Sequence, residues 1–561
     1  MIQQSLIRVL NEAVAAASPE LGLDPDSVPE PELIRPRQKE HGDWSTNIAL
    51  VMAPKVGRPP REVAEAVAAR LQPDDLVKRV EVAGPGFINL FLGHAWLHGV
   101  LSDVLDRASV YGRGQPRGER VQVEFVSANP TGPLHVGTAR NAALGDALAN
   151  LLEAAGYGVE REYYFNDAGH QLELFGASVE ARYLERFGVP AEIPEGGYHG
   201  THVADLAAEI AAELGDGLVH MDPEERRRRL KEEAVTRAVR GIRKTLDRFG
   251  VRIDAWVNER ELHESGAIAE AVARLKASGF AYESEGAVFF RSTEFGDEKD
   301  RVLIRSNGAP TYFAADCAYV LHKARRGFDR MIYVWGADHH GTVKRLLGAA
   351  EALGVDPARV EVLLYQMVTL YRGGEPVRMS RRAGDYVTLA ELLDEVGPDA
   401  ARYTLLTRSN DSPLDFDIVE VTRQSLDNPV YYVQYAHARI ASLLRVAAEQ
   451  GVALPPWRDV NFEELTEEAE LDLLRKLAEL PEVIEVAAEA RAPHRLTRYA
   501  EEVAAEFHRF YTECRVITDD RTLTHARLWL STGAKQVIGS TLRLIGVSAP
   551  ESMERIGGDG C

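Results

Sequence analysis

Cysteine is scarce in this 561-residue chain. Cys317, Cys514 and Cys561 lie far apart and form no C-x-x-C pair, which excludes a disulfide framework and a cysteine-based zinc site and makes a reduced cytoplasm the expected compartment. Long apolar runs are missing too: charge breaks every hydrophobic stretch well short of the roughly 18 residues a bilayer span needs. Met1 to Ala17, with Glu12 inside it, patterns as an amphipathic helix and not as a leader. No membrane association and no secretion are therefore expected. Positive charge is in short supply, with 65 Lys and Arg against 86 Asp and Glu and a formal net charge of −21. That balance argues mildly against a nucleic-acid partner, because phosphate binding rests on Lys and Arg.

One patch escapes the average. Between Arg226 and Arg252 eleven Lys and Arg stand against Glu232, Glu233 and Asp247, and Arg237, Arg240, Lys244 and Arg248 step by three and four along one helix face. A solvated helix face and a backbone-phosphate contact are both open readings. The rest of the composition, 45% hydrophobic and 27% charged, is that of a globular chain long enough for several domains.

Pattern and punctuation divide the chain into three domains. Residues 1–118 read as a small α+β module, with helices at Leu6 to Ala17 and Arg61 to Leu71 and a strand-turn-strand in "VEVAGPGFINLFL". Residues 119–427 open with strand, helix and strand: "VQVEFVS", a helix with Leu144, Leu148, Leu151 and Leu152 on its apolar face, and "GVEREYYF". A helical insertion of about 169–254 follows. Strand signals return in "RMIYVWG" and "RVEVLLYQMV", flanking a helix from Thr342 to Leu353, so the block is an α/β, doubly wound parallel-sheet (Rossmann-like) domain. Residues 428–561 show no strand pattern and read as an all-α bundle, with helices near Pro429 to Ala448, Glu467 to Ala490, Leu496 to Glu513 and Ala534 to Ile545.

The first turn of the second block, "SANPTGPLHVGT", carries the chemistry. A strand ends, Pro130, Gly132 and Pro133 constrain a loop, and a helix opens near His135, so backbone N–H groups and the helix dipole aim at the space above the sheet edge and suit phosphate. Gly137 admits close backbone approach of a nucleotide, and His135 is placed to donate to a phosphate oxygen as charge shifts in a transition state. Neither a G-x-G-x-x-G pattern nor the Lys-Ser/Thr end of a P-loop is present. No Ser-His-Asp or Cys-His set is convincing. Adjacent His339 and His340 make a poor metal pair, so no metal site is expected.

"LHVGT" together with "VRMSRRAG" resembles the HIGH and KMSKS signatures of class I aminoacyl-tRNA synthetases. The strings "VEFVSANPTGPLHVG", "REYYFNDAGHQ", "VWGADHHGT", "SPLDFD", "GDWSTN" and "GPGFINL", in that family's order over nearly the whole chain, resemble the arginyl-tRNA synthetases. Two departures stand out: Thr138 closes the first signature in place of His, and Arg378 and Arg381 replace both lysines of the second. Arginine still supplies cations to departing pyrophosphate, as a planar fork instead of a compact charge.

The resemblance implies ATP-dependent activation of L-arginine and transfer to the terminal ribose of arginine tRNA, chemistry of positioning and charge stabilisation. It implies a catalytic set of His135, Gly137, Thr138, Arg378 and Arg381. ATP would be held by His135, Gly137, Gly336, Asp338, His339, Met379 and Ser380. Glu124 and Asn129 would take the α-amino end of arginine, and Tyr312 and Asp316 its guanidinium side; carboxylates suit a guanidinium through paired hydrogen bonds, and Tyr312 and Asp316 share a helix face. Tyr432, Tyr435, His437 and Arg439 would contact unpaired anticodon bases by stacking and polar edges. The N-terminal module becomes a further tRNA-contact domain and the C-terminal bundle the anticodon-binding domain. The family expectation is a monomer using ATP with Mg²⁺ and no zinc or other cofactor, with adenylate formation dependent on bound tRNA. Two rival readings are a non-catalytic RNA-binding paralogue and a small-molecule nucleotidylyl transferase. Retained His135, Gly137 and Arg381 oppose the first, and the long helical C-terminus opposes the second. The stretch "ERIGGDGC" reads as a tail beyond the last helix.

Overall fold

The computed structural model describes residues 2–24, 27–36, 38–167, 169–377 and 387–553. The N-terminal module comprises α1 (Ile2–Leu21), β1 (Leu33–Ile34), β2 (Trp44–Thr46), α2 (Ile48–Val56), α3 (Pro60–Ala68), β3 (Val77–Ala83) and β4 (Phe87–Leu92). Its antiparallel sheet has the order β1-β2-β4-β3. Leu6, Leu10, Ala13, Val14 and Ala17 fall on one face of α1 and are buried against this sheet and α2–α3. Helix α4 (His94–Arg107) follows, but its apolar side, including Leu97, Leu101 and Val104, belongs to the main core of the molecule and not to that of the module. The module also meets the C-terminal bundle through ion pairs, Arg35 with Glu479 and Glu482, Lys39 with Asp472 and Arg475 with Asp43.

The central block runs β5 (Arg120–Glu124), α5 (Val136–Ala154), β6 (Gly158–Phe165), α6 (His170–Arg186), α7 (Thr201–Leu214), α8 (Pro223–Arg248), β7 (Ala255–Asn258), α9 (Glu259–Glu264) and α10 (Ala267–Ala277). It continues with β8 (Ala281–Ser284), β9 (Ala287–Phe290), β10 (Arg301–Ile304), α11 (Tyr312–Arg325), β11 (Arg330–Gly336), α12 (His340–Ala352) and β12 (Val360–Tyr365). Five strands form one parallel sheet in the order β12-β11-β5-β6-β7, the doubly wound arrangement expected from the sequence. From β5 the chain winds one way through α5 to β6, and from β11 the other way through α12 to β12. The gap above β5 and β11 is therefore the topological switch point, where open α/β sheets bind ligands. Helices α6, α7 and the first half of α8 enclose a separate small core around Phe175, Tyr183 and Ile210. The antiparallel β8–β10 sheet has no counterpart in the sequence reading; its strands have only four residues each, too few for an alternation to register.

Last come β13 (Val368–Arg372), β14 (Glu375–Pro376), α13 (Leu389–Val396), α14 (Pro398–Leu405), β15 (Leu414–Asp417), α15 (Ile418–Val421) and the bundle α16 (Pro429–Glu449), α17 (Glu468–Leu477), α18 (Leu480–Glu489), α19 (His494–Glu513) and α20 (Arg521–Leu544). The single helix expected over Glu467 to Ala490 is two, α17 and α18, the second carrying in its first turn Pro481, which has no N–H to continue the ladder. Helix α20 starts well before Ala534 because the Asp520 carboxylate caps the N–H groups of Thr522 and Leu523.

Bundle and sheet share one continuous core, and a buried charge sits in the seam. Fully buried Arg402 of α14 pairs with Asp146 of α5 and donates to the carbonyls of Ile545 (2.6 Å), Phe249 (2.9 Å) and Gly250 (3.1 Å). Gly546 makes room for it: a Cβ there would lie 2.3 Å from the guanidinium carbon, and its φ is +70°. Gly546→Ala is expected to cost about 2–4 kcal/mol of stability, from overlap with a rigidly held group and left-handed strain together. Gly451→Ala, at φ +76° with nothing within 4 Å, should cost only about 1 kcal/mol. Thermal melts of the two variants check the difference.

Candidate active site

The turn leaving β5 is strained. Val126 and Ser127 have φ of 69° and 43°, values a β-branched residue rarely adopts and which persist only where surroundings over-determine them. Those surroundings are visible. The Val126 N–H donates to the Asn141 side chain (2.6 Å), whose amide in turn donates to the Val334 carbonyl of β11 (2.9 Å); the Tyr163 hydroxyl donates to the Ala128 carbonyl (2.8 Å). Asn141 thus ties the turn across the switch point.

His135 caps α5 in extended conformation, and its carbonyl accepts from the N–H of Thr138 at 2.8 Å. The N-terminal, positive end of the α5 dipole lies at the carboxyl-end edge of the sheet, although the Val136 and Thr138 N–H groups are already bonded, to the carbonyls of Val387 and His135. Gly137 holds the imidazole close: a Cβ there would lie 2.9 Å from His135 Cε1 and Nδ1. Fully buried Arg140, one turn further, donates to the carbonyls of Gln366, Ser412 and Ser409 and fixes the helix start to the "SPLDFD" segment. Arg378, Met379, Ser380 and Arg381 lie outside the described residues, but both flanks of their loop are placed. The Val136 N–H donates to the Val387 carbonyl (3.2 Å) and the Leu389 N–H to the Leu134 carbonyl (2.7 Å). On the other flank Asp417 accepts from the N–H groups of Gly373 (2.9 Å) and Gly374 (2.6 Å) in the β13–β14 turn. The end of that loop is thereby stitched to the His135 turn.

Beside this turn is a group of carboxylates. Glu124 is buried at the end of β5, accepting from Ser127 Oγ (2.9 Å) and paired with fully buried Lys323. The Lys323 ammonium lies 3.5 Å above the Tyr333 ring, and burial holds its pKa below the usual lysine value. Asp316, half-buried on α11, has no such partner among the described residues: burial and the carboxylates of Glu259 and Glu124 push its pKa up to about 7, with Arg345 the opposing influence. Burial also raises the pKa of Glu259, which accepts from the Tyr164 hydroxyl at 2.9 Å. Tyr312, exposed, lies one turn before Asp316, its hydroxyl 3.3 Å from where a Cβ on Gly169 would be. Asn129 donates to Gln171 at 3.0 Å. Gly336 ends β11, and a Cβ on it would strike the Asp338 carboxylate at 2.4 Å; Asp338 and His339 are exposed above the sheet edge. Turn, carboxylates and β11 end thus meet around the switch point. Among the described residues, no group of three or more His, Cys, Asp or Glu side chains is arranged to hold a metal ion.

A second surface lies on the bundle. Arg439 stacks 4.5 Å from the Tyr511 ring and 5.5 Å from Tyr435, and Tyr432 packs against His508 at 5.0 Å. Tyr435, Arg439, Arg445, Tyr511 and Arg515 line a cavity of about 740 Å³. His437 is not with them. It is buried on another face of α16, bonded to the Pro550 carbonyl at 2.8 Å and packed beside Gly539.

Sequence reading missed Glu259, Lys323, Tyr164, Tyr511 and Arg515. Glu259 follows directly on a sheet strand, a position that signals a site, whereas Arg515 lies just past the end of α19, where helical spacing gives no signal. Lys323 leaves no local signal.

Three family models match the chain: "Arginyl tRNA synthetase N terminal domain" over residues 2–92, "tRNA synthetases class I (R), catalytic domain" over 100–428 and "DALR anticodon binding domain" over 433–553. The arginine–tRNA ligase of Moorella thermoacetica is 50% identical over 553 residues, 98% of this chain and 99% of that protein. That of Carboxydothermus hydrogenoformans is 51% identical over 523 residues, 93% and 94% of the two chains. The structure of Thermus thermophilus arginyl-tRNA synthetase superposes with a TM-score of 0.74 at 25% identity, covering 98% of this chain and all of that one. The Plasmodium falciparum enzyme shares the fold at 16% identity, with a TM-score of 0.73 over 98% and 99% of the chains.

The raised Asp316 pKa is a stability statement. The folded state holds this proton up to about pH 7 and the unfolded state releases it near 4, so stability falls as pH rises through that window and stays reduced above it. Asp316→Asn is expected to raise the melting midpoint at pH 8 by about 1–3 °C and to leave it nearly unchanged at pH 4. Melts at the two pH values check this.

Proposed function

We propose residue roles from one premise: the chain belongs to the arginine–tRNA ligase family of class I aminoacyl-tRNA synthetases. The family's reaction joins L-arginine to its tRNA at the expense of ATP, generally with Mg²⁺. In our reading, the carboxylate of arginine attacks the α-phosphate of ATP at the switch point, pyrophosphate leaves, and the acyl group moves from the adenylate to the terminal ribose, with release of AMP. His135 and the positive end of the α5 dipole stabilise charge moving onto the phosphates, and Gly137 lets the nucleotide approach. Thr138 holds the turn. Arg378 and Arg381, with Met379 and Ser380, attend the triphosphate; the support is the stitching of their loop's end to the His135 turn. Gly336, Asp338 and His339 take base and ribose.

The observation that carries the arginine assignment is a charge imbalance. Glu124 is already neutralised by Lys323, whereas Asp316 and Glu259 both have raised pKa values and, among the described residues, neither has a Lys or Arg ion pair; Arg345 acts on the first through space and His263 lies 3.4 Å from the second. A guanidinium supplies the missing charge and offers each carboxylate a fork of N–H donors. Tyr312 and Asp316 hold that end, and Asn129 and Glu124 order the α-amino end. Tyr432, Tyr435 and Arg439, extended by Tyr511 and Arg515, form the anticodon surface, with His437 fixing the chain behind it. The division of labour is 1–118 for an outer tRNA contact, 119–427 for catalysis and 428–561 for the anticodon. We read the chain as a cytoplasmic monomer needing no zinc; among its described residues no helix is long and apolar enough to cross a membrane.

The test is attachment of labelled arginine, lysine, glutamate or cysteine to total bacterial tRNA with ATP and Mg²⁺. Charging with arginine alone is expected. His135→Ala should lower kcat/KM by about 10²–10³-fold, and Asp316→Ala should abolish saturation by arginine. Because guanidinium binding needs ionised Asp316, KM for arginine should rise up to about tenfold per pH unit below 7, and Asp316→Asn should flatten that dependence. Retained tRNA binding without charging by any amino acid would leave an RNA-binding protein.

A further inference from the structure

The β8–β10 sheet has no role in the reaction as described, yet it joins two helices of the active site. Its last strand runs into α11: the Thr311 N–H donates to the Leu303 carbonyl at 2.9 Å, its hydroxyl donates to the Val302 carbonyl at 2.7 Å, and the same oxygen caps the helix by accepting from the Ala314 N–H. The segment between β9 and β10 reaches α12 instead. Phe295, stacked on Phe290 at 5.5 Å, lies against Gly348, where an added Cβ would meet its Cβ and Cγ at 2.5 Å. The sheet therefore bridges the helix that carries Tyr312 and Asp316 and the helix that follows Gly336, Asp338 and His339.

Arg345 stands three residues before Gly348 on α12, on the face turned to this sheet. Its Nε donates to the Asp297 carboxylate at 3.1 Å, and among the described residues no other carboxylate lies within 4 Å of its guanidinium. That guanidinium is 5.8 Å from the Phe313 ring, and Phe313 precedes Asp316 by three residues on α11. It is near enough to oppose, through space, the influence of Glu259 and Glu124 on Asp316. A resident guanidinium, the same chemical group as the side chain of the ligand, thus stands beside the carboxylate that the ligand needs.

Asp297 is fixed more firmly than a surface acid. Arg301 grips its two oxygens at 2.7 Å each, the Glu298 N–H donates to it at 2.9 Å, and its own N–H is bonded to the Ser292 carbonyl at 3.1 Å. The Arg301 fork holds its pKa well below the usual carboxylate range, so its charge persists wherever the protein works. As a bare stabilising contact the Arg345–Asp297 pair, partly open to solvent, is worth little. Its place beside Asp316 gives it a larger consequence.

We propose that Asp297 is a positioning residue of the arginine site: by holding Arg345 it keeps that guanidinium from pairing with Asp316 and leaves the carboxylate open to the guanidinium of the substrate. The proposal rests on the assignment of Asp316 to the side chain of the substrate. Self-pairing that filled Asp316 in about nine molecules of ten would raise the apparent KM for arginine about tenfold, because only the open fraction binds.

The test is tRNA charging by the full chain at about pH 8.5, where Asp316 is ionised. Asp297→Asn, which keeps the shape and removes the charge, should raise KM for arginine about tenfold, with kcat and the KM values for ATP and tRNA within about twofold. Adding Arg345→Met should return KM for arginine to within about twofold of the parent although Asp297 is still missing, a recovery that a purely structural role does not give. Arg345→Met alone should stay within about twofold of the parent. Should Asp297→Asn not fold, Asp297→Asn with Arg301→Gln, which also removes the second cation that Asp297 balances, takes its place in the same comparison. An arginine KM unchanged by the loss of Asp297, or raised and not recovered by Arg345→Met, overturns the proposal. So does a tenfold rise in Arg345→Met alone, which makes Arg345 a helper of binding and not a competitor. A parent chain whose arginine KM is indifferent to Asp316→Ala refutes the assignment of Asp316 and the proposal with it. One that loses saturation in Asp316→Ala yet ignores Asp297→Asn refutes the proposal alone.

Discussion

Arg402 carries a full charge into a site with no solvent exposure, and its neighbours are arranged around that fact. It is satisfied by Asp146 on α5 and by carbonyls at the end of the insertion and the end of α20. Asp146 lies 3.8 Å from a second fully buried arginine, Arg161, which is balanced by Glu153 and, at 3.6 Å, by Asp254. Breaking such a pair leaves an uncompensated buried charge at a cost of about 3–5 kcal/mol, although an apolar replacement of the whole set is often neutral. What the network provides is uniqueness of arrangement. The network joins insertion, sheet and bundle, and the helix that opens at His135 supplies Asp146 to Arg402 and both Asp146 and Glu153 to Arg161.

That rigidity is what the site draws on. Val126 and Ser127 are held in conformations they disfavour, and Asp316 is held near carboxylates that raise its pKa. Each is a local loss of stability that the surrounding fold offsets. Asn141, Tyr163 and Arg140 transmit the offset by pinning the turn and the helix start to β11, β6 and the "SPLDFD" segment. A cationic ligand then finds an electrostatic deficit already built, so binding relieves repulsion instead of reorganising side chains.

Much of this was legible in the sequence where the signal is local. The switch from period two to a helical pattern around "VQVEFVS" and His135 marks β5 and α5, and the i, i+4 spacing of Tyr312 and Asp316 puts both on one face of α11. Contacts between distant segments were not legible: nothing near Lys323 announces Glu124, 199 residues earlier, and Glu259 joins Asp316 only because β7 pairs with β6. Short strands and the break at Pro481 fell below the length over which periodicity is informative. His437 shows a different kind of miss. Its residue type fits an RNA surface, but two positions from Tyr435 is about half a helical turn, and the helix points it inward against Pro550.

Neighbouring parallel strands need a crossover of only about a dozen residues, yet β6 and β7 are joined by the whole of α6, α7 and α8. Most of that connection folds on its own core around Phe175, Tyr183 and Ile210, so the strand pairing does not depend on its bulk. Loop-closure entropy grows only with the logarithm of length. The sheet's own stability therefore sets little limit on the length of this crossover, whose tie to the sheet and bundle is confined to its last turns, where Phe249 and Gly250 meet Arg402.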